Sequence, residues 1–345
     1  MIDFTNLQKM VNEKCISVQK HPTEDLYIYN YTQRAQFDKV WNNETLSCRG
    51  LIMDKNNKIV ARPFKKFFNL SEMGPQFQLP AEDFLVTEKM DGSLGILYWI
   101  GDKPYIATRG SFISEQAIKG TQILQTKYKI ELNRAWTPLF EIIYPSNRIV
   151  VDYAGMEDLV LLSIIETDSG IELPYKQIQE IAKIWEMPIV KKYDGMTDFS
   201  KLEQRPNSEG YVITFPSTKQ RFKIKFDEYV RLHKIITGIN ARRIWELLSN
   251  NQPLDEILER VPDEFFKWVK DTKEKLEREF KEWEKGAKEI YETAIKLPTR
   301  KEQAGVIKGF SQRGIVFKML DKKPYAEVIW KMIKPKHEVP FKMEI

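Results

Sequence analysis

The spacing of apolar residues changes at about residue 230 of this 345-residue chain, and that change sets the fold class. Before it, apolar residues come in short runs or alternate with polar ones, broken by glycine and asparagine turns, as β-strands require. After it, Phe266, Val269, Leu276, Phe280, Trp283, Ala287, Ile290 and Ala294 recur at spacings of three, four or their sum. That spacing draws one apolar stripe along a helix over 262–296. Further helices are predicted over 241–249, 254–260, from Pro298-Thr299-Arg300 onward, and over 325–333. The expected class is α+β. An N-terminal domain of antiparallel sheets flanked by helices would span 1–235, and an all-α domain 236–345.

Within the strand-rich part, Val-Thr-Glu-Lys-Met-Asp-Gly-Ser over 86–93 places Lys89 and Asp91 on a bend between two predicted strands, the second over 94–99. A lysine there is either a solvated loop residue or a nucleophile, with Gly92 letting a ligand approach the backbone. Its neighbours have to decide.

Several polar residues share its placement at strand ends or on one strand face. Arg49-Gly50 opens a buried strand over 48–54, where a guanidinium needs a carboxylate or a phosphate. The stretch Arg62-Pro63-Phe64-Lys65-Lys66-Phe67-Phe68-Asn69 interleaves three aromatics with three cations. It suits a nucleotide pocket, and equally a hydrophobic staple with solvated charges around it. Tyr29-Asn30-Tyr31 ends a strand and either packs it or walls a base or sugar. Arg109 closes a predicted hairpin over 94–108, ahead of a helix over 114–127. Glu141 interrupts an apolar strand and needs an arginine, a metal or ribose hydroxyls. Glu209-Gly210 begins a strand. Lys223 and Lys225 fall on one face of another, which meets an anion or is a protected edge.

Other segments only build the fold. A short amphipathic helix is predicted over 3–13, strands over 16–19 and 26–31, a central strand over the apolar run 159–165, and a helix over 174–186. With 42% hydrophobic residues the chain can form real cores, and a net charge of +5 permits a polyanionic partner without requiring one. Two cysteines, Cys15 and Cys48, lack disulfide-scaffold and metal-site spacing. No apolar run approaches the roughly 18–20 residues of a membrane span, and no signal peptide opens the chain, so a soluble cytoplasmic protein is expected.

One nucleophile candidate, several cations and a few carboxylates are the inventory of phosphoryl transfer, in which the protein chiefly positions and neutralises. Attack needs the neutral amine, and neighbouring cations, a metal ion and loss of water all favour deprotonation. In chain order, Lys89-x-Asp91-Gly92, Phe140-Glu141, Ser208-Glu209-Gly210 and Lys223-Ile224-Lys225 resemble motifs I, III, IV and V of the covalent nucleotidyltransferases. Tyr29-Asn30-Tyr31, Cys48-Arg49-Gly50, Lys66-Phe67-Phe68-Asn69-Leu70, Asn147-Arg148-Ile149-Val150 and Tyr229-Val230 sharpen the match. Over residues 10–235 the chain is similar to the ATP-dependent RNA ligase 1 family, typified by the T-even phage enzyme.

That resemblance implies an ATP-grasp-like ligase domain that joins 5′-phosphate and 3′-hydroxyl RNA ends through lysyl-AMP and RNA-adenylate intermediates. It implies ATP with Mg²⁺ or Mn²⁺, RNA as partner, and work in RNA repair such as that of tRNA. Lys89 would be the nucleophile, with Lys223, Lys225 and Arg109 as further catalytic groups; Arg109 stands where the phage enzyme has lysine. Tyr29, Arg49, Lys66, Phe68, Glu88, Asp91, Gly92, Glu141 and Glu209 would bind the nucleotide beside Lys223 and Lys225. Glu141, Glu209 and Asp255 would hold metal. A monomer of phage or bacterial origin is expected, with ends prepared by a separate kinase or phosphatase. A DNA ligase or capping enzyme shares the core motifs but usually continues into a β-barrel, where this chain reads as helical. A non-catalytic RNA-binding protein is the alternative from another class.

Overall fold

The computed structural model describes residues 2–73, 77–128, 133–195, 198, 202–230, 240–254 and 263–335, with 263–267 as helix backbone alone. The chain forms two compact units, Met1–Ile236 and Thr237–Glu344.

Three sheets build the first unit. β1 (Ile16–Lys20), β2 (Leu26–Tyr31), β3 (Arg49–Asp54) and β4 (Ile59–Ala61) pair in that order, all antiparallel. The second sheet runs β10 (Asp158–Glu166), β9 (Trp136–Ile143), β7 (Ser93–Ile100), β8 (Lys103–Ala107), also antiparallel. The third runs β11 (Lys192–Tyr193), β6 (Leu85–Lys89), β12 (Gly210–Thr214), β13 (Arg221–Lys225), β5 (Phe68–Asn69). Its one departure from antiparallel pairing is β13 beside β5.

The period of two in these strands distributes side chains to two cores. Leu97, Ile106, Phe140 and Ile142 face α4 (Glu115–Lys127) and α5 (Tyr175–Ile184), while Ile96, Ala107 and Leu139 face Ile28 and Ile52 of the first sheet. Helix α1 (Phe4–Asn12), capped by the Asp3 carboxylate, and the short α2 (Gln33–Phe37) and α3 (Asn43–Ser47) cover the far side of that first sheet. Ser114 caps α4, so the predicted helix over 114–127 begins one residue later.

Two strand readings need correction. The run 159–165 forms an edge strand of its sheet and not a central one. It is apolar but for Ser163, which donates to Glu172, because α5 and the 188–190 segment cover it, with the Leu161 N–H donating to Pro188 O and the Val190 N–H to Leu161 O. Lys89 is the last residue of β6, and the bend begins only at Met90.

The second unit is helical: α6 (Ala241–Ser249), α7 (Asp263–Ala294), α8 (Arg300–Ile307), α9 (Arg313–Leu320) and α10 (Ala326–Met332). Ala287 and Ala294 of α7 bury against Ile307, Ile315, Val316 and Ile329. Thr299 and Glu302 form a capping box for α8, which explains the start at Pro298-Thr299-Arg300. The predicted helix over 254–260 lies outside the described residues except for Leu254, as do the side chain of Phe266 and all of Asp255. Helix α9 is not among the predicted helices.

Candidate active site

The third sheet carries the site. Cross-strand register pairs Gly210 with Lys89 on one side and Lys225 on the other, and Val212 with Lys223. Partners across a ladder share a face, so Lys89, Lys223 and Lys225 project from the same surface. β13 lies between β12 and β5, so its lysines do not guard an edge.

Glu209 joins them. Strict alternation would turn it away from that face, because its neighbour Gly210 is the residue in register with both lysines. Gly210 adopts φ +151, a conformation open to glycine, and the alternation breaks there. A Cβ at this position would collide with the Ile224 carbonyl oxygen. As a result Lys89 Nζ donates to Glu209 Oε2 at 2.6 Å, and Lys225 Nζ lies 3.0 Å from Oε1. The Glu209 side chain is 4% exposed. Burial acts to raise its carboxyl, but Lys89 and Lys225 outweigh that and hold it below the ordinary range.

Glu141, on β9, accepts at Oε1 from the Gly92 N–H, 3.0 Å away. Burial pushes its carboxyl up to about 7; Lys89 opposes the shift, and the Glu209 charge adds to it. Gly92 is required for this contact, because a Cβ would stand 2.6 Å from Ile142 O. Asp91 is buried and fully engaged: Oδ2 accepts from the N–H groups of Val150 (2.9 Å) and Val151 (2.8 Å), and Oδ1 from the Tyr229 hydroxyl (2.8 Å). The Asp91 N–H donates to the Tyr153 hydroxyl at 2.7 Å. Tyr229 in turn lies under Lys225, 5.1 Å from ring centre to Nζ. Asp91 therefore ties the bend after Lys89 to the 147–153 segment and to the residue beneath Lys225.

A second group of cations comes from the first sheet (Arg49), the loop after it (Lys66) and the segment after β8 of the second sheet (Arg109). Lys66, 6% exposed, has its ammonium 5.5 Å from the Tyr31 ring, 5.8 Å from Trp41 and 5.2 Å from Phe68. Arg109 stacks 5.4 Å from Tyr31 and donates to its hydroxyl at 3.2 Å. Arg49 lies 5.6 Å from Phe67 and acts electrostatically on Glu141. The aromatics of 62–69 thus divide: Phe64 enters the core and Phe68 meets Lys66.

The structure does not gather every predicted residue. Glu88 is in register with Tyr211, so it lies on the face opposite Lys89, where burial raises its carboxyl and Lys191 and Arg205 oppose. Tyr29 packs against the first-sheet core, and Tyr31, two residues on, is the tyrosine that meets the cations. Trp41 and Tyr153 escaped the sequence reading: nothing in their spacing marks them, since both arrive from irregular segments.

A protein-family model described as RNA ligase matches residues 47–230, just over half of the chain. The chain belongs to this RNA ligase family. The matched stretch holds Lys89, Glu141, Glu209, Lys223 and Lys225. A putative RNA ligase of Thermovibrio ammonificans is 26% identical over 290 residues, covering 78% of this chain and 74% of that protein. The RNA ligase of Rhodothermus phage RM378 is 24% identical over 322 residues, covering 70% of each. Among solved structures, an archaeal ATP-dependent RNA ligase aligns over 93% of this chain and 96% of that one, at 14% identity and a TM-score of 0.48. Among the described residues no helix of this RNA ligase family member is long and apolar enough to cross a membrane.

Proposed function

We propose that the chain is an ATP-dependent RNA ligase that works through AMP held covalently on Lys89. The observation that supports this best is the contact of Lys89 with buried Glu209, itself held by Lys225, on a chain of the RNA ligase family. Lys89 Nζ attacks the α-phosphorus of ATP; an N–P bond forms, the bond to the bridging oxygen breaks, and pyrophosphate leaves. Lys223 and Lys225 face that charge from β13, and Lys66, Arg49 and Arg109 supply cations for the phosphates. AMP then passes to an oxygen of an RNA 5′-phosphate, releasing the amine. Attack by a 3′-hydroxyl on that phosphorus expels AMP and closes the phosphodiester.

Among the described residues no three carboxylate, histidine or cysteine groups form a metal cage. Glu141 and Glu209 nevertheless suit Mg²⁺ or Mn²⁺, which commonly binds through one or two carboxylates together with substrate phosphates. Such an ion supplies charge that offsets the phosphates. Turning Glu209 Oε2 toward such an ion would break its contact with Lys89 and so release the amine.

The helical unit would choose among RNA ends, such as those of a cleaved tRNA, after a separate kinase or phosphatase has prepared them. The deciding experiment mixes the protein with α-labelled ATP and Mg²⁺. A Lys89-dependent covalent AMP is expected, and its absence sinks the ligase reading. If the adduct forms but only nicked duplex DNA is sealed, the RNA assignment fails. A chain ending at Ile236 that kept the full preference among RNA ends would remove the role given to the helices.

A further inference from the structure

Lys66 brings a buried ammonium into contact with three aromatic rings, and the rings support one another. Trp41 packs edge-on against Tyr31, with centroids 5.3 Å apart at 81°, and against Phe68, 5.3 Å apart at 73°. Tyr31 carries Lys66 and Arg109 at 5.5 and 5.4 Å. The backbone is anchored as well, the Lys66 N–H donating to Leu46 O at 2.7 Å. Trp41 is thus the residue through which Tyr31, Phe68 and Lys66 are held together.

We propose that Trp41 is a positioning residue for phosphate binding: it fixes Lys66 directly, and Arg109 through Tyr31, so that both cations meet the ATP phosphates. The proposal rests on the ligase reading given above. An indole face attracts a cation more strongly than the other aromatic rings, and an aliphatic side chain of similar bulk does not attract one at all. A long lysine side chain without that face samples more rotamers and pays more entropy on meeting an anion.

The test measures ATP and adenosine affinity by calorimetry, using full-length protein with Lys89→Ala as parent so that no chemistry intervenes. Trp41→Leu should weaken ATP binding about five- to thirtyfold. It should move adenosine, which has no phosphate, by less than about twofold, because the cation–ring attraction it removes acts on the groups that would meet phosphate. Trp41→Phe should recover most of the loss. On a Lys66→Met background, Trp41→Leu should cost much less than it does alone. Val40→Ala, in the same apolar cluster, controls for simple loss of packing. Equal weakening of ATP and adenosine, full additivity with Lys66→Met, or an unchanged ATP affinity would each overturn the proposal. If the parent binds ATP and Trp41→Leu binds it as well, only this assignment falls; if the parent binds no ATP, the ligase reading falls with it.

Discussion

Lys89 Nζ and Glu209 Oε2 stand 2.6 Å apart, an ion pair between the candidate nucleophile and a carboxylate that is 4% exposed. An ammonium so held is not a nucleophile. The pair holds the Lys89 side chain in place, and Lys225 gives the same carboxylate a second cation. Replacing Lys89 by alanine should therefore leave the fold intact, since one cation still meets Glu209. Transfer of AMP from ATP should be abolished, while sealing of pre-adenylated RNA survives at least in part. Labelled-adduct gels and a sealing assay check both halves, and AMP transfer retained by the variant would defeat the nucleophile assignment.

Removing the carboxylate is more damaging than removing one cation. Glu209→Gln leaves Lys225, only 7% exposed, beside a neutral amide. Breaking a buried pair in this way costs about 3–5 kcal/mol. The midpoint of denaturant unfolding should fall accordingly, and adduct formation should drop by more than about tenfold, since each 1.4 kcal/mol of lost positioning is one factor of ten.

Gly210→Ala tests the backbone that turns Glu209. The φ of +151 and the collision with Ile224 O together should destabilise the chain by at least about 1–3 kcal/mol. Adduct formation should fall further than stability alone predicts. A folded Gly210→Ala protein with full adduct yield would show that Glu209 reaches Lys89 without the glycine.

The Asp91 network predicts a loss smaller than that of Glu209→Gln. Tyr229→Phe leaves Asp91 Oδ1 without its hydroxyl partner in a buried place, a loss of about 1.5–3 kcal/mol. Urea titration measures it. An unchanged unfolding midpoint would mean that the two backbone donors from Val150 and Val151 suffice.

Glu82 provides a pH test away from the site. Its carboxylate accepts from the Ser217 N–H at 2.7 Å and the Thr218 N–H at 2.8 Å, at the turn between β12 and β13. Hydrogen bonds, that of Thr218 foremost, hold its carboxyl down at about 2, against an ordinary 4.5. For an acid with a lowered value, the stabilisation is present above the unfolded value and is lost as pH falls toward the folded one. The difference in Tm between wild type and Glu82→Gln should be full at pH 7 and shrink between pH 4.5 and 2. A constant difference down to pH 2 would contradict it.

The residues of the site were legible as an ordered set of motifs, and the strands and most helices as local periods, because both are properties of near neighbours in the chain. Period two puts Glu88 and Lys89 on opposite faces because β6 runs on through Lys89. What only the tertiary structure decided depends on residues far apart. Glu209 meets a lysine 120 positions away, because Gly210 breaks a strand's alternation at one point. Trp41 joins Lys66 because a turn and a loop come together over the first sheet. The run 159–165 is buried at an edge because a helix covers it, and apolar periodicity reports burial without saying what does the burying.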